Sequence, residues 1–193
     1  MRSLTTLALA LGLLTGMSSR ADASAIYDAT LLGTNEVPAN GSSGFGNAKL
    51  TLNGDSLGVV EAFDGLIGGL AAAAHIHCCA PIGTNAGVAV PFVGFPFATN
   101  GTYSQTFDLT LLSTYTPTFV TASGGTAALA EATLLAGLTG GDAYVNIHDA
   151  QFPGGEIRGQ LEAAPADAVP EPATMTLFGL CLAGMAARRR RGR

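Results

Sequence analysis

All three histidines of the chain fall in two short segments, Ala74-His75-Ile76-His77-Cys78-Cys79 and Ala143-Tyr144-Val145-Asn146-Ile147-His148-Asp149. Both segments read as strands, and side chains alternate between the two faces of a strand. His75 and His77 therefore share one face, with Ala74, Ile76 and Cys78 on the other. In the second segment Tyr144, Asn146 and His148 share a face, while Val145 and Ile147 point to the core. The rise of a strand places residues i and i+2 about 7 Å apart, near enough for two imidazoles to converge on one ion. His148 supplies a third ligand if its strand lies beside the first. Three imidazoles suit zinc or copper and leave a fourth position for water or substrate. The competing role for these rings is structural, as hydrogen-bond partners of loop backbone beside Tyr144 and Asn146.

The cysteines extend the same reasoning. Cys78 and Cys79 are adjacent, and the third cysteine, Cys181, lies in the C-terminal segment. If the strand continues past His77, Cys79 joins the histidine face and offers a soft sulfur ligand that favours copper. The alternatives are a disulfide between the two neighbours or a bridge between two copies of the chain, either of which suits an exported thiol. Glu156 and Arg158 also share a strand face, and Arg158 is expected to pair with a carboxylate such as Glu36 or Asp149. The chain holds no phosphate loop, dinucleotide fingerprint or Asp-x-Asp-x-Asp-Gly calcium loop.

The elements that must carry these residues are short. Apolar-alternating runs at Ile26 to Leu32, Asn47 to Leu52, Leu57 to Phe63, Ala73 to Cys78, Val88 to Val93, Thr102 to Leu109, Asp142 to Ile147 and Glu156 to Leu161 predict eight strands. Asn40-Gly41, Asn53-Gly54 and Asn100-Gly101 mark turns between them. Such spacing predicts an all-β fold, an antiparallel β-sandwich or barrel of immunoglobulin-like or superoxide-dismutase-like form. The exception is the Ala- and Leu-rich stretch 126–138, which reads as a short helix closed by Gly140-Gly141, or as two strands flanking a turn.

Charge narrows the partners. Of nine basic residues only Lys49 and Arg158 lie between the terminal segments, against twelve acids from Asp28 to Asp167, so the body carries roughly −10. No basic footprint exists to neutralise phosphates, which argues against a nucleic-acid partner. Cations or a polyhydroxylated matrix suit this surface better.

The two ends read as addresses. Residues 1–25 combine Arg2, an apolar run from Leu4 to Leu14 and small residues around Ala21-Asp22-Ala23, the pattern of a secretory signal peptide cut by signal peptidase. After a linker at 163–168, residues 169–193 hold Pro170-Glu171-Pro172, an apolar run from Ala173 to Ala187, and Arg188, Arg189, Arg190 and Arg191. Fifteen helical residues span about 22 Å, short of the roughly 30 Å hydrocarbon core, so a transmembrane helix here needs local thinning or snorkelling arginines. The arginines orient the body to the outside of the membrane.

This tail resembles the PEP-CTERM sorting signal. The resemblance implies a Gram-negative bacterium, export across its inner membrane, membrane attachment before processing, and cleavage near Pro-Glu-Pro by an exosortase. It further implies a place at the cell surface or outside the cell, among exopolysaccharide and biofilm components or surface proteins. Residues 26–162 resemble the CHRD domain. The matching residues are Leu31 to Pro38, Gly44-Phe45-Gly46, Ala74 to His77, Tyr144 to His148, and Pro153 to Leu161. Cys78-Cys79 and Asp149 depart from the glycine and threonine that the family often has there. The resemblance implies an all-β extracellular module with no established reaction. His-x-His on such a strand is also similar to the copper site of Cu/Zn superoxide dismutases, although the further histidines of that site are missing. Two functions follow as expectations: a non-enzymatic surface or matrix domain, and a copper or zinc protein built on His75, His77 and His148, with Cys79 as a further candidate ligand.

Overall fold

The computed structural model describes residues 24–165. Almost all of the expected signal peptide lies outside the described residues, and so does the whole C-terminal sorting segment with its apolar run. Among the described residues no helix is long and apolar enough to cross a membrane.

Nine antiparallel strands form one sheet: β1 (Ala25–Leu32), β2 (Phe45–Asn53), β3 (Ser56–Asp64), β4 (Ala73–His77), β5 (Val88–Pro91), β6 (Gly101–Asp108), β7 (Tyr144–His148), β8 (Ile157–Gln160) and β9 (Glu162–Ala163). The strand order is β5-β4-β7-β8-β1-β2-β3-β6, with β9 pairing on β1. The eight expected strands are all present, shifted by a few residues at their ends. Asn53 and Gly54 turn the β2–β3 hairpin as their types require: Asn53 pairs with Ser56, and Gly54 takes φ +55° in the two-residue loop.

Of the two forms expected, the sheet takes the barrel, left incomplete. Its inward faces close on one core that draws residues from both ends of the strand order, including Leu50, Val59, Ile76, Val90 and Ile147. The edge strands β5 and β6 do not pair. Aromatic rings fill the seam between them, where Phe92 stacks at 5.1 Å on Tyr103 and at 6.0 Å on Phe107, and the Tyr103 hydroxyl donates to the Val93 carbonyl. Helix α2 (Ala127–Gly140) covers the core with Ala130, Leu134, Gly137 and Leu138, which recur at helical spacing. The Thr126 hydroxyl caps its first turn, and Gly141 ends it in the left-handed conformation at φ +73°. A second helix, α1 (Pro117–Ala122), has no counterpart in the sequence reading. Its β-branched composition hides it, and only Pro117 after a capping Thr116 marks a helix start.

Burial on the inner face of β3 follows the strand period through Leu57, Val59 and Phe63, but Glu61 shares that face and is 0% exposed. It sits between Ala48 on β2 and Tyr103 on β6, and neither carboxyl oxygen has a hydrogen-bond partner among the described residues. Burial raises its pKa to about 8. A carboxyl with a raised folded-state pKa stabilises the fold least at high pH, because the unfolded chain ionises from about pH 4.5 upward while the folded chain resists. Glu61→Gln is therefore expected to match the wild type below pH 4.5 and to gain on it as pH rises, by on the order of 5 kcal/mol above pH 8, measured by denaturant unfolding across pH. A pH-independent difference would show that Glu61 ionises normally.

Candidate metal centre

The site follows from one strand pairing. β4 and β7 run antiparallel with Ala73 opposite His148, His75 opposite Asn146 and His77 opposite Tyr144. Ala74, Ile76, Val145 and Ile147 are buried in the core, as alternation requires. The opposite face then gathers His75 and His77 from one strand and His148, diagonal to His75, from the other. The ring centroids are 5.5 Å apart for His75 and His77, 4.9 Å for His75 and His148, and 5.8 Å for His77 and His148. One nitrogen from each ring lies within 4.8 Å of the other two.

This second face is not a solvent surface. Loops cover it and make a polar layer, and six of the eight buried polar or charged side chains belong to it: Glu36, His77, Asn146, Asp149, Glu156 and Arg158. β7 shows the consequence directly, since Tyr144 through Ile147 are all buried and both faces of the strand are covered. Asn40 pins two of the loops together, its amide donating to the Gly155 and Glu156 carbonyls at 3.2 and 3.0 Å. Gly155 presses so closely on this layer, at φ +128°, that a Cβ there would collide with Glu36 Oε1 and Asn146 Nδ2.

Hydrogen bonding fixes two of the three rings. His77 Nδ1 lies 2.9 Å from the Ala86 carbonyl, and His148 Nδ1 lies 3.0 Å from the Pro153 carbonyl. A carbonyl only accepts, so both Nδ1 atoms carry the proton and both Nε2 atoms keep a free lone pair. Those two Nε2 atoms and His75 Nδ1 are buried without a partner among the described residues. Unpaired buried polar atoms cost about 1–3 kcal/mol each, and each of the three rings carries one. Burial, then the neighbouring rings His148 and His77, pushes the His75 pKa down to about 4. His77 is pushed down to about 4 chiefly by burial, against the Ala86 hydrogen bond. His148 is lowered by burial too, with the Pro153 bond and Asp149 opposing. All three rings are thus neutral at pH 7, the form that binds a metal.

Tetrahedral binding at about 2.1 Å per nitrogen needs nitrogens about 3.4 Å apart, so closing on an ion takes inward ring movements of about 1 Å or less. Three neutral imidazoles with no carboxylate or thiolate among them fit zinc or copper.

Cys79 is not part of this group. β4 ends at His77, so the alternation that would carry Cys79 onto the histidine face stops two residues short. The Cys78 amide instead donates to the Gly87 carbonyl, and the Ala80 amide to the Asp142 carbonyl, turning the chain away. The two cysteines form a disulfide with each other, and Cys79 Sγ faces the Thr133 carbonyl of α2 at 3.5 Å. Both sulfurs rest on Gly137, where no Cβ would fit.

Arg158 likewise bonds elsewhere than expected. Its guanidinium donates to Asn85 Oδ1 at 3.1 Å and to the Thr84 carbonyl at 3.0 Å, while Glu36 is an electrostatic neighbour and not a hydrogen-bond partner. Burial raises the Glu36 pKa to about 7 against the pull of Arg158. Glu156 is raised by burial and by the adjoining Asp149 carboxyl, with Ser42 and the Ile67 and Gly68 amides opposing. The partners that orient the rings, the Ala86 and Pro153 carbonyls, are backbone atoms in loops, which no residue pattern advertises.

Fold and site together define an all-β domain with a partly buried group of three imidazoles among the loops on the outer face of a curled sheet. Residues 27–161 match the CHRD domain, and the chain belongs to that family. Residues 168–191 match the PEP-CTERM protein-sorting motif, which implies export, sorting to the surface and processing by exosortase. No curated protein and no solved structure matches the chain.

The lowered histidine pKa values set a direction for stability. With metal removed by chelator, the unfolded chain takes up protons below about pH 6.5 that the folded rings refuse until about pH 4, so stability from these groups is lost as pH falls through that window. The stability of the wild type relative to His75→Gln is expected to drop between pH 6.5 and 4 in thermal unfolding. A constant difference would place His75 in water.

Proposed function

We propose that this chain is a surface-sorted domain that holds a copper or zinc ion through His75, His77 and His148. The observation that carries the reading is the convergence of three neutral imidazoles, each with an unpartnered buried nitrogen, within 4.8 Å. The contacts of His77 and His148 Nδ1 with loop carbonyls serve a structural role equally well, and what favours the metal reading is the second nitrogen on those rings and His75 Nδ1, which are buried without a partner among the described residues. Bound there, the ion supplies Lewis acidity, and copper also supplies one-electron chemistry; the protein supplies neutral ligands, fixed tautomers and a polar layer around them. His75 and His148 are only partly buried, which leaves the group reachable from one side. In this reading the sorting motif brings the domain through the inner membrane of a Gram-negative cell to its surface, among exopolysaccharide or surface proteins. The acidic body, with two basic residues against twelve acids, attracts cations in that setting.

The test is metal content and linkage in the processed chain recovered after export. Elemental analysis should find about one zinc or copper per chain. Adding Zn(II) or Cu(II) at a hundred times its dissociation constant should stabilise the fold by about 2.7 kcal/mol, seen as a rise in melting temperature. The variant His75→Ala, His148→Ala should show neither. No bound metal together with no thermal shift in the wild type would overturn the proposal.

A further inference from the structure

We propose that Tyr144 and Arg158 are positioning residues for the histidine centre, forming a cation–π column that locks the His77 ring and directs its Nε2 to the ion. This inference rests on the metal reading above. The Tyr144 ring lies parallel to the His77 ring, 3° between planes and 4.7 Å between centroids. The Arg158 Cζ lies 3.4 Å from the Tyr144 centroid. The strand order β4-β7-β8 puts His77 and Arg158 on opposite sides of Tyr144, so the three side chains stack across the sheet as histidine, phenol and guanidinium.

A single loop clamps all three members. Consecutive residues Thr84, Asn85 and Ala86 provide the Thr84 carbonyl and Asn85 Oδ1 to Arg158, the Ala86 amide to the Tyr144 hydroxyl at 3.2 Å, and the Ala86 carbonyl to His77 Nδ1. The Tyr144 hydroxyl also points back at that same carbonyl, at 3.4 Å. The Ala86 peptide therefore fixes the tautomer of His77 and the in-plane position of Tyr144 together. Parallel stacking fixes the remaining freedom of the imidazole, its rotation about χ2. A ring held in plane by one hydrogen bond and face-on by a second ring has its orientation fixed, and it is fixed within a group whose ligand nitrogens lie within 4.8 Å of one another.

The state of Arg158 argues that the column does more than fill space. It is 2% exposed, and its hydrogen-bond acceptors are both neutral groups. A buried cation on neutral acceptors carries a desolvation cost that an apolar side chain of similar volume would avoid. The Glu36 carboxyl offsets part of that cost as an electrostatic neighbour, and the quadrupole of the Tyr144 ring directly under the guanidinium offsets more. Holding Tyr144 flat from one side keeps it flat against His77 on the other.

The experiment measures the Zn(II) dissociation constant of the processed chain by chelator competition, beside the melting temperature of the metal-free protein. Tyr144→Phe keeps the ring and should bind within about threefold of wild type. Tyr144→Leu removes the stack and should weaken binding at least tenfold, as second-layer partners of metal-ligating histidines commonly do. Arg158→Met should weaken it in the same direction, with Arg158→Lys recovering part of the loss. Unchanged affinity in both Tyr144→Leu and Arg158→Met would overturn the inference. If either variant fails to fold, nitrogen-15 NMR of the metal-free wild type decides instead: His77 protonated at Nδ1 with a rigid ring supports the column, whereas protonation at Nε2 or a mobile ring overturns it. A wild type that binds no Zn(II) or Cu(II) at all sinks the metal reading itself, so the two failures are distinct.

Discussion

The register of β4 on β7 is the constraint on which the rest depends. Side chains alternate with a period of two, so a slip of one residue would turn Ile76, Val145 and Ile147 outward and drive the histidines into the core. The apolar faces of the two strands forbid that slip, since each of these aliphatic side chains is 0% exposed and truncating one to alanine costs roughly 2–5 kcal/mol. The histidine group is thus positioned by the hydrophobic effect acting on its neighbours. No attraction among the three rings is needed to bring them together, and one buried and two partly buried rings close to one another disfavour an added proton.

A curled sheet with one core leaves its outer face to the solvent in simple barrels. Here the loops after β1, β4 and β7 fold over that face and bury a second, polar layer. Such a layer is stable only where donors and acceptors match, and most of this one is matched: Glu156 by Ser42, Ile67 and Gly68, Asp149 by Gln151 and Phe152, Arg158 by Thr84 and Asn85. The unmatched atoms of this layer lie on the three imidazoles, on Asn146 and Glu36, and on Asp149, whose Oδ1 alone is bonded among the described residues. Glu61, unpartnered on the other side of the sheet, is a contrast: it stands alone among apolar side chains, with no second donor set to make a site.

Much of this was legible in the sequence. The eight strands, the helix before Gly140-Gly141, and the division of each histidine segment into an aliphatic and a polar face all follow from local periodicity. Those patterns are local because backbone geometry is local. Helix α1 escaped, since its six residues are too few for a periodic signal and its Thr and Val favour strands. Cys79 reaches the histidine face only if the strand alternation continues, and the chain abandons that alternation at His77, leaving the other alternative, a disulfide between the neighbouring cysteines. Where a strand stops is decided by what the next residues can bond to, here Gly87, Asp142 and the adjoining cysteine.

The sequence by itself determined that three histidines lie on polar faces of two strands, that the body is acidic, and that the tail carries sorting features, because each of these is a property of neighbouring residues. Only the tertiary structure decided that the two strands are partners, that loops bury the histidine face, and that the Ala86 and Pro153 carbonyls set the ring tautomers. Those outcomes depend on contacts between residues far apart in the chain and on backbone atoms that every residue type shares, so no pattern of side chains encodes them. The column of His77, Tyr144 and Arg158 shows the division well. Its members were visible as residues, and their stacking exists only because β4, β7 and β8 lie side by side.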